Sequence, residues 1–157
     1  MCWPLIIAGA SALMMAKAQK DQGDAESAVQ KKNAILADMQ AEQARNIGTI
    51  DEERQMAVTR QLLGRQRATF AANNIDASSG SALDTIGQTA QFGAMDAMTV
   101  RNNALRQAWG FDVEASNARN AAAWAKYGSR QKAAGTLLSG AGSVYGKGAD
   151  AGYWGGN

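Results

Sequence analysis

An all-α fold built as a long helical hairpin is predicted by three observations. Pro4 is the only proline in the chain, so no proline breaks helical backbone beyond the first turn. Residues from about 17 to 72 are rich in Gln, Ala, Lys and Glu, all good helix formers. One short interruption follows, NNIDASSGS at 73–81, after which the helical pattern resumes. The expected organisation is an apolar N-terminal segment 1–16, a long amphipathic helix 17–72, a turn 73–81, a second long helix 82–128 and a Gly-rich apolar and aromatic tail 129–157. Two helices of roughly 50 residues joined by so short a link favour antiparallel neighbours, each arm ~75 Å long at 1.5 Å per residue, over a near-continuous rod. A hairpin brings both ends of the chain together.

Within the first helix Ala25, Leu36, Ile47 and Val58 lie eleven residues apart, as do Ala28, Met39 and Ile50. The second helix repeats the spacing with Leu83, Ala94 and Leu105 and with Ile86, Ala97 and Ala108. Eleven residues over three turns give ~3.67 per turn, so partners would pack straight or with slight right-handed coiling. Such stripes are packing seams first, and Leu36, Met39, Ile47, Ile50, Val58, Leu83, Ile86 and Leu105 are the expected contacts between copies of the chain. In the turn, Asn73 and Asn74 suit the left-handed residue that ends a helix. Ser81 with Asp84 three residues on reads as a capping box opening the next one.

Composition disfavours an enzyme. There is no His and a single Cys, Cys2, which removes the commonest general base, the commonest metal ligand and paired-thiol chemistry. The fourteen carboxylates are scattered at helical spacing, as on solvated faces, and a small hydrolase using a carboxylate pair is the weakest alternative. No catalytic residue, cofactor or metal is expected. The lone Cys excludes an internal disulfide framework and fits folding in a reducing compartment, and no basic segment precedes the apolar start as in a secretion signal. Net charge is +2 and evenly spread, unlike the basic stripe of a dedicated nucleic-acid binder. Arg54, Arg60, Arg65 and Arg67 approach the turn, but Asp51, Glu52 and Glu53 precede them, which favours a solvated or inter-subunit face over phosphate contact. With aromatics at 6% and Ala filling core positions, a single copy buries little apolar area, and neighbouring copies are expected to stabilise it. Trp109, Phe111, Trp124 and Tyr127 read as anchors between copies.

The two ends carry the apolar chemistry. Residues 5–16 form a run ~18 Å long as a helix, short of the ~30 Å hydrocarbon core. Trp3, Leu5, Ile6, Ile7, Leu13, Met14 and Met15 at one end are expected membrane contacts. Leu137, Leu138, Val144, Tyr145, Tyr153 and Trp154 join them at the other, the aromatic rings suiting a lipid–water boundary. Composition alone rates this equal to a first run packed in an oligomer core beside a flexible linker.

Two stretches resemble a known family. They are MCW followed by a short apolar Ala/Gly run and a Gln/Ala/Lys-rich helix, and ASSGSALDTIGQTAQFGAMDAMTVRNNA at 77–104. Their arrangement is similar to the smallest internal virion protein of the coliphage T-seven group of short-tailed phages, the product of gene fourteen. The likeness covers roughly residues 1–20 and 70–105; WGF at 109–111 and the Gly/Tyr/Trp tail depart from it. The resemblance implies an ejection protein held in the virion core above the portal, which leaves through the tail at infection and forms a homo-oligomeric ring or tube at the host outer membrane and periplasm. Its implied partners are the larger ejection proteins, the portal and tail, the outer membrane and, transiently, passing DNA. Any peptidoglycan cleavage would belong to a larger partner. The alternative is a purely structural helical virion core or adaptor protein without membrane contact.

Overall fold

The computed structural model describes the backbone of residues 3–150 and the side chains of residues 10–149. Two helices account for almost all of it, α1 over Trp3–Ala72 and α2 over Gly80–Asp150, and no strand occurs among the described residues. Both helices exceed expectation. The apolar N-terminal segment is not separate from Trp3 onward but continues directly into α1, with Pro4 in the first turn. The expected end of the second helix at Gly128 is also corrected, since α2 runs on to Asp150. Its extra glycines each cost ~1 kcal/mol relative to Ala, but tertiary contact outweighs that local preference. Thr136 donates to Gln19 Oε1 at 3.0 Å, and Gly140 lies against Ala12. Tyr153 and Trp154 lie outside the described residues, and so do the side chains of Trp3, Leu5, Ile6 and Ile7.

The turn begins with a Schellman closure of α1. Asn74 is left-handed at φ 52°, its N–H donates to the Ala71 carbonyl at 3.1 Å, and the Ile75 N–H reaches back to Phe70 at 2.9 Å. The expected Ser81/Asp84 capping box is replaced by another device. Ser81 already lies inside α2, and the Asp76 carboxylate organises the approach, accepting from the Ser78 N–H at 2.9 Å and from the hydroxyls of Ser78 and Ser79 at 2.6 and 2.9 Å. Those bonds hold the Asp76 carboxyl below its ordinary value of 3.8, the Ser78 hydroxyl contributing most. Gly80, at φ +58°, supplies a backbone conformation that a side chain would strain.

The helices pair in two units, Leu36–Glu114, which contains the turn, and Met1–Ile35 with Ala115–Asn157. In the first unit, three rows of α1 face α2: Ala37, Gly48 and Thr59; Ala41, Glu52 and Leu63; Ala44, Gln55 and Gln66. The answering rows of α2 are Ala82, Gly93 and Ala104; Ile86, Ala97 and Ala108; Thr89, Val100 and Phe111. Every row repeats at eleven residues, the period expected for nearly straight packing. The backbones approach closely enough that a Cβ on Gly48 would collide with that of Ala104, and one on Gly93 with the Thr59 side chain. Such contacts belong near the ~8 Å lower limit of interaxial separation. Ala41, Ala44 and Ala108 form the core of this unit, with Phe111 packed against it.

The second unit has the same character. A Cβ on Gly23 would collide with Ser129, Ser27 and Ser129 are buried, and Ala16, Ala34, Ala115, Ala118 and Ala122 complete the seam. Among the described residues, every buried apolar side chain in the protein is an alanine except Ile86.

Candidate assembly surface

If alanine and glycine occupy the inside, the large apolar side chains must lie outside. Of the eight residues expected to join copies of the chain, Leu36, Met39, Ile47, Ile50, Val58, Leu83 and Leu105 are exposed, while Ile86 is buried between α1 and α2 of its own unit. The α2 pattern thus divides: the row of Leu83, Ala94 and Leu105 faces out, and the row of Ile86, Ala97 and Ala108 faces in. The whole α1 stripe faces out, and the intramolecular seam runs through the small residues beside it.

On α2 of the unit Leu36–Glu114, exposed Met95, Met98, Trp109 and Val113 extend the outer row around Leu105. The methionines and Val113 went unnoticed in the sequence. Their signal is recurrence on the side away from the Ala82–Gly93–Ala104 row, which becomes visible only once that row is known to be the seam. Phe111 is a correction of another kind, because it packs within the chain and so is not free to anchor a second copy. Trp109 is 68% exposed and Trp124 70% exposed. Trp124 meets Tyr127 edge to face, ring centres 5.9 Å apart, and the Tyr127 hydroxyl accepts from Gln131 at 2.8 Å, so this pair is braced along one helix.

In the unit formed by the N- and C-terminal segments, Leu13, Met14, Met15, Leu137, Leu138 and Tyr145 are exposed and Val144 is half-buried. The Ala12–Gly140 contact places the Leu13 and Leu138 turns beside each other, so the structure brings these parts of the two apolar runs together. No helix among the described residues is long and apolar enough to cross a membrane.

Polar groups fix the pairing. In the unit Leu36–Glu114, Arg45 pairs with Asp112 and Arg101 reaches Glu52 at 3.4 Å, each across the two helices. Gln66 donates to Thr89 at 3.0 Å, while its buried Oε1 accepts no bond. In the other unit Lys126 lies 3.8 Å from Asp24. The exposed pairs each contribute at most ~1 kcal/mol, so they set register more than they stabilise. Of the arginines near the turn, Arg54 pairs with Asp51 at 2.9 Å and Arg60 donates to the Met56 carbonyl at 3.4 Å; all four are exposed. A groove of about 440 Å³ between the helices of the same unit is lined by Gln40, Gln43, Asp51, Asn103 and Gln107 with Phe111 at one side, and no group of three or more potential metal ligands occurs among the described residues.

No family model, curated protein or solved structure matches this chain.

Proposed function

We propose that this chain is an internal virion protein of a short-tailed bacteriophage, which leaves the capsid at infection and assembles into a channel at the host outer membrane. The observation that carries the reading is the inversion of an ordinary core, with alanine and glycine between the helices and Leu, Ile, Met and Trp on their outer faces. A hairpin held by an alanine seam has little packing to undo, which suits passage through a narrow tail. Its outer side chains are free for neighbouring copies or lipid. Because a bilayer admits only helices or closed barrels, amphipathic helices set side by side are a route by which short apolar segments jointly line a conduit. Outside the apolar stripes, Gln, Asn and mixed charges offer a wet lumen that would not trap passing DNA. Larger ejection proteins would extend the conduit.

The test is to place aspartate at Leu13 and Leu138, both exposed, so that the hairpin itself is spared. A carboxylate facing lipid costs ~2.5–3.5 kcal/mol per site, repeated in every copy of a ring. The purified variant should lose dye release from liposomes that the parent shows, and variant virions should hold normal amounts of the protein and adsorb, yet fail to deliver DNA. Equal leakage and equal infectivity would end the membrane role and leave a purely structural virion core or adaptor protein.

A further inference from the structure

Within the unit Leu36–Glu114, the outer stripes of α1 and α2 do not lie on the same side. At ~100° per residue, the α1 stripe of Leu36, Ile47 and Val58 sits roughly 100° from the Ala37–Gly48–Thr59 row of the seam in the direction of falling residue number. The α2 stripe of Met98, Leu105 and Trp109 sits roughly 100–140° from the Ala82–Gly93–Ala104 row of the seam in the direction of rising number. Between antiparallel helices those opposite senses bring the stripes out on opposite sides of the unit. We infer that the chain associates head to tail with further copies of itself, the α1 stripe of one copy seated on the α2 stripe of the next. This rests on the reading of a self-assembling chain and adds the polarity of its contact.

Three features commit both surfaces to a second copy. First, the stripes share a repeat: Leu36, Ile47 and Val58 are spaced by eleven, and so are Met98 and Trp109. A neighbour's α2 can therefore follow α1 along its length as the chain's own α2 does at the seam. Second, the area suffices. Ten large side chains about half exposed, at about 100 Å² each, supply roughly 1,000 Å² of apolar surface, the apolar share of a stable interface of ~1,600 Å². Third, a two-fold dimer through one stripe would leave its opposite number bare on both copies. A heterologous contact covers both and repeats, closing into a ring or continuing as a filament.

Disulfide capture tests the polarity. Cys2 is the only cysteine and is first replaced by Ser. The close approach of Gly48 and Ala104 sets Ile47 and Leu105 at one level of the unit but on its opposite sides, too far apart to be bridged within a chain. Ile47→Cys protein is mixed with Met98→Cys, Leu105→Cys or Val113→Cys protein, three positions that allow for axial stagger, and mildly oxidised with native helicity checked by circular dichroism. One mixture should give mixed disulfide in excess over either self-disulfide. Ile47→Cys combined in one chain with the responding α2 position should give a ladder of multimers on a non-reducing gel. Self-disulfides in excess, bridging confined to single chains, or no crosslink from any natively helical variant would each overturn the proposal. A ladder from protein that fails to permeabilise liposomes would leave the contact standing and remove the membrane role.

Discussion

The inner and outer faces of the unit Leu36–Glu114 make opposite use of the same eleven-residue period. Inside, Ala37, Gly48 and Thr59 meet Ala82, Gly93 and Ala104, and the helices approach until single hydrogens matter. Outside, one residue before each member of that first row, Leu36, Ile47 and Val58 carry four- and three-carbon side chains into the open. An ordinary amphipathic helix places its bulk inward because apolar area removed from water is the main stabilising term. Here the close backbone approach excludes bulk from the central row of the seam, and most of the large side chains remain available for contacts the single chain does not make. Periodicity alone therefore does not say which side of a helix is the inside, and the sizes of the residues on each row have to be weighed with it.

The largest effect that would break this contrast is expected at the inner face. Gly48→Leu should cost ~1–3 kcal/mol or more, because the new side chain meets Ala104 where even a Cβ collides. A thermal melt followed by circular dichroism should show a clear fall in midpoint, and an unchanged melt would mean that the helices do not approach there. On the outer side, Gly64 has nothing within 4 Å of where a Cβ would stand. Gly64→Ala should accordingly raise stability by ~0.5–1 kcal/mol in the same melt, through helix propensity alone. Opposite signs for two glycines in one helix would sharpen the distinction between the faces; equal signs would erase it.

The smallest expected effect lies at the turn that allows the faces to form. The folded Asp76 carboxyl is held below its ordinary value of 3.8, so the stability it contributes is present above that value and lost as pH falls through its folded value. Protection of the Ser78 amide, its exchange taken relative to the free-chain rate at the same pH, should therefore fall as the pH drops below 3.8, and Asp76→Asn should flatten that dependence. A turn whose exchange is identical in parent and variant across that range would show that the Asp76 bonds to Ser78 and Ser79 do not organise the start of α2.

Helix, turn and period were legible in the residues themselves. One proline at position 4 leaves helical propensity unbroken, and an Asn pair at 73–74 supplies the left-handed closure that the Asn74 φ displays. These features depend on groups within a few residues of one another. The glycines after Gly128 pointed the other way, toward a loose tail, and there local preference was overruled by contacts such as Thr136 with Gln19, a partner 117 positions away in sequence. The same holds for the assembly surface. Leu36, Ile47 and Val58 announce a stripe by spacing and apolarity alone, whereas the burial of Ile86 and Phe111 and the exposure of Met98 and Trp109 follow from which row the partner helix occupies. The sequence by itself determined two helices, their reversal and their eleven-residue repeat, because propensity, capping and period are local. Only the tertiary structure decided that the small residues are the inside, because that depends on how closely two backbones can approach, a quantity no single helix possesses.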